Sequence, residues 1–183
     1  FQYKDPEKGF DRARVKGVVA KLIRVTDPKS ATALEVAAGG KLYQVIVDTE
    51  ATGKSLLKNG GLRNRVTIIP LNKVSSRPIS NQVASAARKL VGDKAQPALE
   101  LVGYDGELEA AMKYAFGGSF ICNDAGTAKK LAFAKEVSTR CITLDGDDFN
   151  PGGTLTGGSR AKGGSLLMKV HELAQAEEQL ERE

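Results

Sequence analysis

The segment TLDGDDFNPGGTLTGG runs from Thr143 to Gly158 and places four glycines within its last eight residues. Asp145-Gly146 is typical of a tight hairpin turn, which would return Asp147 to Asn150 alongside the strand before it. Neighbouring strand residues point to opposite faces, so Asp147 and Asp148 are not expected to hold one metal ion. Close approach of another protein backbone is the favoured interpretation of the glycines, ahead of local turn geometry and of small-ligand binding.

Before this segment, one order of elements occurs twice. In the first half, DPKSATALEVAAGG predicts a helix that ends at Gly39, followed by a strand in KLYQVIVD, a second helix and a strand in RVTIIP. In the second half, GELEAAMKYAFGG predicts a helix, followed by the strand SFIC, a helix in GTAKKLAFAKEV and the strand RCITL. The order indicates an internal duplication, and the predicted fold class is mixed α/β (α+β), with two related lobes about an approximate twofold axis.

The duplication sets the predicted boundaries. Lobe one covers residues 15–80 and lobe two covers residues 101–160, while SNQVASAARKLV predicts a joining helix within a connecting segment, 81–100. Residues 1–14 lead into the first lobe. Residues 161–183 contain a predicted helix in which Leu166, Val170, Leu173 and Leu180 follow heptad spacing. This helix is either the start of a coiled coil or an amphipathic helix lying on the domain.

Composition narrows the class of protein. No stretch approaches the roughly 18 apolar residues of a membrane span, so no membrane partner is expected, and a chain opening on Phe1 suggests a piece of a longer protein. Cys122 and Cys141 lie in apolar strand-like runs and are expected to be buried, reduced thiols, which suits an intracellular protein. The lone His171 has no residues spaced to join it, so neither a catalytic residue nor a metal ion or other cofactor is expected.

The segment DTEATGKS, from Asp48 to Ser55, ends like a nucleotide-binding P-loop. Asp48 stands where that motif requires its first glycine, and its negative charge would face the phosphates. A helix start capped by Asp48 or Thr49, with Lys54 in solvent, is therefore preferred. A standalone nucleotide- or phosphate-binding enzyme that uses DTEATGKS or PGGTLTGG is the alternative function.

Taken together, GVVAKLIRV, AAGGKLYQVIVD, RVTIIPL and TLDGDDFNPGGTLTGGS resemble the hinge domain of structural maintenance of chromosomes (SMC) proteins, from about Val15 to Ser159. The detailed sequence of CNDAGTAKKLAFAKEVSTRCITLDGDDFNPGGTLTGG is most similar to the condensin branch of eukaryotes, the chromosome-associated protein E subunits. The resemblance implies the SMC hinge fold, with residues 1–14 and the closing helix as coiled-coil stubs.

The same resemblance implies a non-catalytic dimerisation hinge that joins two coiled-coil arms for chromosome condensation in mitosis and cell division. Its expected partner is the hinge of the second condensin SMC subunit, chromosome-associated protein C, with a second copy of this chain as a weaker partner. The full-length protein would be an ATPase through ATP-binding heads outside this chain. The expected localisation is the nucleus and chromosomes, with a cytoplasmic pool.

Two sets of site residues follow from the resemblance. The expected dimer interface has two parts in this chain. The second lobe contributes Gly152, Gly153, Thr154, Leu155, Thr156, Gly157 and Gly158, and the first lobe contributes the opposing contact, Arg63, Asn64, Arg65, Val66 and Thr67. The expected contact with DNA, including single strands, consists of Lys4, Lys8, Arg12, Arg14, Lys16, Arg160 and Lys162. The alternative is that most of these are solvated charges near exposed ends. Residues 1–80 hold 15 Lys and Arg against 7 Asp and Glu, whereas residues 81–183 hold 12 against 15, which suits nucleic acid or a partner of opposite polarity.

Overall fold

The computed structural model describes residues 1–158 and 166–182, except the side chains of His171 and Arg182. The elements of the first half are β1 (Val15–Val18), β2 (Arg24–Val25), α1 (Ala31–Ala38), β3 (Val45–Val47), α2 (Glu50–Asn59) and β4 (Ile68–Pro70). The joining helix is α3 (Asn81–Val91). The remaining elements are β5 (Ala95–Pro97), β6 (Val102–Gly103), α4 (Glu109–Phe116), β7 (Ser119–Cys122), α5 (Ala125–Phe133), β8 (Arg140–Thr143), β9 (Asp148–Phe149), β10 (Leu155–Thr156) and α6 (Leu166–Arg182).

The two halves have the same topology, which confirms the predicted duplication and the mixed α/β class. Strands β3 and β4 are parallel around α2, and β7 and β8 are parallel around α5. An antiparallel strand flanks each pair, β1 beside β3 and β5 beside β7. Strand β2 pairs antiparallel with its counterpart β6, Arg24 opposite Gly103 and Val25 opposite Val102, so equivalent strands join the lobes about the approximate twofold axis.

The lobes share one apolar core. Leu34 of α1, Met112 and Phe116 of α4, and Ile46 and Ile142 of the two sheets are at most 1% exposed and belong to one cluster. The opposite face of the first sheet packs on α2, and the opposite face of the second packs on α3 and α5. Burying whole apolar side chains between the lobes stabilises them as one unit, at about 1.5–3 kcal/mol for each large side chain.

A polar contact also crosses between the lobes. Arg140 of β8 donates to the Ala37 and Val36 carbonyls at the end of α1, at 3.0 and 3.1 Å, while its guanidinium pairs with Asp148, with a closest N–O distance of 2.7 Å. In the other direction, Lys41 donates to the Tyr114 carbonyl in α4 at 3.2 Å. Helices α1 and α4 therefore each have C-terminal carbonyls that accept hydrogen bonds from a cation of the opposite lobe.

Several boundaries differ from the sequence-based expectations. Strand β3 covers only VIV of KLYQVIVD, because Gly39–Tyr43 forms a 3₁₀ helix, and β4 covers only IIP of RVTIIP. The expected connecting segment 81–100 contains β5, which pairs with β7, so the second sheet begins before the expected boundary at residue 101.

The two expected coiled-coil stubs differ from each other. Residues 1–14 contain no α-helix; the main chain of Lys4 donates to Gly60 at 2.9 Å, and Phe10 is buried, so this segment packs on lobe one. The closing helix begins on the domain, since Leu167 is 1% exposed, and then presents Leu173 and Leu180 to solvent at 59% and 71% exposure. The start of this helix therefore lies on the domain, and the coiled coil beyond it stays a prediction. Within the described ranges, none of the helices combines the length and apolarity that a membrane span requires.

Candidate functional site

The segment from Thr143 to Gly158 folds into two successive hairpins. Gly146 has a φ of 93°, and its N–H donates to Thr143 at 2.8 Å, closing the turn between β8 and β9. Cys141 lies opposite Phe149 and Ile142 lies opposite Asp148, which confirms that the chain returns beside β8. Strand β10 then pairs with β9, so the glycine-rich end of the segment becomes the last strand of the five-stranded sheet β10-β9-β8-β7-β5.

Local geometry accounts for part of the glycine content. At the turn between β9 and β10, Gly153 has a φ of 102° and donates to Asn150 at 2.9 Å, while Gly152 donates to the Asn150 side chain at 2.8 Å. Gly158 has a φ of 117°, again in the region that side chains disfavour. Local turn geometry, one of the interpretations of the glycine content, is therefore present at these glycines.

Strand β10 has a free outer edge. Leu155 lies opposite Phe149, and the neighbouring pair is closed by the Asn150 N–H, which donates to Thr154 at 3.0 Å. In an antiparallel ladder, the main-chain groups of alternate residues bond to the neighbouring strand. The N–H and C=O groups of Thr154 and Thr156 therefore point toward β9, and those of Leu155 point outward. The Leu155 side chain is 64% exposed. This edge can accept a further strand.

The first lobe has a matching open edge at β4. Strand β8 pairs on both sides, with β7 and β9, whereas its counterpart β4 pairs only with β3. Thr67 accepts from Val45 at 3.1 Å and Leu71 donates to Val47 at 2.9 Å, so the main chain of Ile68 between them points outward. Pro70 has no N–H and ends this edge.

The expected interface residues of lobe one lead directly into this edge. Arg63, Asn64, Arg65 and Thr67 are exposed and Val66 is half-buried. The described part of the chain gives no ion pair to either arginine. Residues 61–64 and Val66 also line a cleft with Phe1 to Lys4, so the N-terminal segment packs beside the interface segment.

Three of the five expected DNA-contacting residues that the structure describes are paired within the chain. Arg12 pairs with Asp5 at 2.8 Å, Arg14 with Asp48 at 3.2 Å, and Lys16 with Glu107 at 3.6 Å. Lys4 and Lys8 are exposed, without an ion pair to any described residue. Arg160 and Lys162 lie outside the described residues.

The aromatic residues beside these cations are also engaged. Tyr3 stacks on Phe1 with ring centroids 5.6 Å apart, meets Phe10 edge-on at 6.3 Å, and lies under the Arg12 guanidinium at 4.7 Å. Phe10 is 8% exposed, whereas Phe1 is 39% exposed. Of these three rings, Phe1 therefore offers the most surface for stacking on a base.

The segment DTEATGKS forms a capped helix start. The Thr49 side chain accepts from the Thr52 N–H at 3.3 Å, and Asp48 accepts from the Thr49 N–H at 2.7 Å. Burial raises the pKa of Asp48, but hydrogen bonds from Thr52 and Thr49 and the Arg14 charge outweigh it, so its pKa lies below the ordinary value. Lys54 is exposed, and the preferred helix-cap interpretation is confirmed.

The two cysteines lie inside the second lobe. Cys122 and Cys141 are both free and 0% exposed, on neighbouring strands β7 and β8. A hydrogen bond with Cys122, burial and the nearby Asp148 charge all raise the pKa of Cys141. A buried thiol that is hard to deprotonate is a poor nucleophile, so this pair serves as part of the core.

One contact of the glycine-rich strand is not predicted by the sequence. The sequence suggests a metal pair or acid/base chemistry for Asp147 with Asp148, yet the Asp147 carboxylate lies against Gly157 on the outermost strand. The signal that could have revealed it is the hairpin register, because a return at Asn150–Gly153 places residue 157 beside residue 147.

The fold and its two open edges define an SMC-type hinge, and comparison with known proteins establishes the family. Residues 12–132 match the family model described as the SMC proteins flexible hinge domain, and the chain belongs to that family. The Geobacillus stearothermophilus SMC hinge domain, solved as an asymmetric dimer, superposes with a TM-score of 0.75 at 32% identity, covering 96% of this chain and 75% of that one. The Pyrococcus furiosus SMC hinge domain gives 0.61 at 30% identity, covering 83% and 77%.

Curated relatives include structural maintenance of chromosomes proteins of type 2. Structural maintenance of chromosomes protein 2-1 of Arabidopsis thaliana is 57% identical over 182 residues, which cover 99% of this chain and 16% of that protein. Structural maintenance of chromosomes protein 2 of Homo sapiens is 51% identical over 181 residues, covering 98% and 15%. The expected resemblance to SMC hinges is confirmed, and the chain spans about a sixth of the length of these relatives.

Proposed function

We propose that this chain is the dimerisation hinge of a condensin SMC subunit. It pairs with the hinge of the second condensin SMC subunit and so joins two long coiled-coil arms that act in chromosome condensation. A second copy of the chain is a weaker partner. The observation that carries the proposal is that β10 of the second lobe and β4 of the first lobe each lie at the end of a sheet with outward main-chain groups.

The two edges explain how a ring closes. Edge strands with free main-chain groups pair readily with another chain. If β10 of one hinge adds to the β4 edge of the other, the twofold relation between the molecules generates the same contact a second time. In a pair of two copies of this chain, the outward main chain of Leu155 then meets that of Val66 and Ile68. With either partner, the exposed Leu155 side chain becomes buried.

The arms and the location of the protein belong to the same proposal. Leu173 and Leu180 lie seven residues apart on exposed helix surface, as the seam of a coiled coil requires. The hinge itself is non-catalytic, and ATP is bound by heads elsewhere in the full-length protein. The nucleus and chromosomes are the proposed location, with a cytoplasmic pool.

The decisive test removes one outward N–H from β10. Replacing Leu155 with Pro leaves the inward-facing bonds of Thr154 and Thr156 to β9 but deletes a donor at the free edge. We expect Leu155→Pro to weaken pairing with the partner hinge about tenfold or more in analytical ultracentrifugation. The matched control, Leu155→Thr, keeps the N–H. If Leu155→Pro pairs as tightly as Leu155→Thr, strand addition at β10 is wrong.

DNA contact near the coiled-coil junction is a second proposal. The ion pairs within the chain reduce the set of candidate DNA-contacting residues. Lys4 and Lys8 carry exposed charges without a described carboxylate partner, whereas Arg12 is paired with Asp5. Removing a cation that neutralises a phosphate should make the binding of single-stranded DNA less dependent on salt, because fewer counterions are released.

We expect Lys4→Gln/Lys8→Gln to weaken DNA binding by about threefold to tenfold at low salt, measured by fluorescence anisotropy, and Arg12→Gln to weaken it less. The dimer should be unaffected by either change. Equal binding by wild type and the double variant would place the DNA elsewhere on the surface.

A further inference from the structure

We propose that Arg140 is a positioning residue for dimerisation. Its guanidinium connects the hairpin formed by β9 and β10 to the end of α1. In this way it holds the two open edges, β10 and β4, in the relative position that a dimer closed by two contacts requires. This inference rests on the proposed function, because it names the residue on which the simultaneous formation of both contacts depends.

The first observation is the attachment of the hairpin. Strand β10 pairs with β9, and β9 pairs with β8 at two positions, Cys141 opposite Phe149 and Ile142 opposite Asp148. The Phe149 side chain packs on the apolar cluster of the second lobe. Neighbouring strand residues point to opposite faces, so Asp148 attaches the hairpin on the other face. The orientation of this short strand therefore depends on a side-chain contact on each face.

The second observation is the geometry of Arg140. Its Nε and Nη2 atoms donate to the Asp148 carboxylate at 2.7 to 3.1 Å. Its Nη1 and Nη2 atoms also donate to the Ala37 and Val36 carbonyls, at 3.0 and 3.1 Å. A guanidinium presents its donors in a rigid plane, whereas lysine has one nitrogen at the end of a flexible chain. Arg140 therefore sets both the distance and the angle between β9 and the end of α1.

The third observation is that each partner of Arg140 lies near one open edge. On one side, Asp148 lies opposite Thr156 of β10. On the other side, α1 ends at Ala38, and the 3₁₀ helix Gly39–Tyr43 leads into β3, which pairs with β4. Arg140 therefore lies between the strand that adds to the partner hinge and the edge that accepts a strand from it.

A closed dimer needs both contacts in one complex. Once the first contact has formed, the second is intramolecular, and its contribution depends on whether the two edges have the right separation. If the hairpin moves relative to β4, the first contact still forms but the second is lost. The side chains of Arg140 and Asp148 are 33% and 19% exposed, so water competes for these hydrogen bonds less than at an open surface.

The test changes the geometry of the contact but keeps the positive charge. Arg140→Lys cannot reproduce the planar set of donors, and Asp148→Asn is a milder change that removes the negative charge. Pairing with the hinge of the second condensin SMC subunit is measured by analytical ultracentrifugation, at a temperature where circular dichroism shows each variant to be folded. We expect about tenfold weaker pairing for Arg140→Lys and about threefold for Asp148→Asn.

The matched control is Leu167→Ala, which destabilises the domain where α6 meets the core. It should weaken pairing by less than about twofold, because it leaves the contacts of Arg140 in place.

A double variant distinguishes positioning from a general loss of stability. Leu155→Pro removes strand addition at β10, so that a single contact remains and the relative position of the two edges no longer matters. Adding Arg140→Lys to Leu155→Pro should therefore weaken pairing by less than about twofold more. Independent effects would multiply instead, and that result would overturn the positioning role.

The remaining outcomes separate this inference from the proposed function. If the wild type pairs and Leu155→Pro weakens pairing, unchanged affinity for Arg140→Lys overturns the role of Arg140 and leaves the dimerisation hinge intact. Equal weakening by Leu167→Ala also overturns it, since lost stability would then suffice. A complex that tolerates Leu155→Pro overturns strand addition and this role together, and so does the absence of any wild-type complex.

Discussion

At the scale of single residues, the glycines between Thr143 and Gly158 differ in the reason why a side chain is disfavoured. Gly153 and Gly158 adopt positive φ angles, at 102° and 117°, so the backbone conformation accounts for them. Gly157 does not, and a side chain there would displace Asp147. The bare main chain at this position therefore reflects a contact within the hairpin, and the same contact carries a charge to the sheet edge.

Asp48 is the residue for which pH dependence can be stated. Its pKa is lowered in the folded protein, so the stability it contributes is present above the unfolded value of 3.8 and is lost as pH falls through the folded pKa. We expect acid unfolding of Asp48→Asn to depend less on pH below about 4 than that of the wild type. Circular dichroism across an acid titration measures this, and parallel curves for the two proteins would contradict it.

At the scale of elements, each lobe is a parallel βαβ unit with an antiparallel flanking strand, and only one lobe continues past it. In the second lobe, β9 and β10 extend the sheet beyond β8, whereas in the first lobe no strand pairs with the outer side of β4. The duplicated unit thus diverged at one edge. Because of that asymmetry, each molecule has one added strand, β10, and one open edge, β4. A dimer closed by two equivalent contacts requires both on each molecule.

The closing helix α6 offers a second test at this scale. Leu167 is 1% exposed against the domain, while Leu173 is 59% exposed. We expect Leu167→Ala to lower the free energy of unfolding by about 2–4 kcal/mol, because it leaves a cavity where α6 meets the core. Leu173→Ala is the matched control and should change stability by less than about 0.5 kcal/mol. Denaturant titration distinguishes them, and similar losses would mean that α6 is not anchored through Leu167.

At the scale of the whole molecule, the lobes are held by a shared core, by the β2–β6 pair and by polar contacts that include those of Arg140. Removing its side chain would leave Asp148 without its cation and free two carbonyls at the end of α1. The pair is partly exposed, which limits its contribution.

We therefore expect Arg140→Met to lower the free energy of unfolding by about 2 kcal/mol, mainly through the loss of hydrogen bonds from a charged donor. Lys135→Met, at an exposed position, is the control. Differential scanning calorimetry measures both, and equal melting temperatures for the two variants would show that Arg140 adds nothing to the stability of the joined lobes.

The order of amino acids was enough to predict the repeated helices and strands, the hairpin at Asp145-Gly146 and the capped start of α2, because each depends on local periodicity and turn chemistry. The resemblance to SMC hinges was also visible there, in motifs spread over both halves. Three further features emerged only from the folded molecule: residues 95–97 join the second sheet, β4 lacks an outer neighbour, and Asp147 lies across Gly157. Those features depend on which strands meet, and strand pairing over long separations leaves little trace in local sequence.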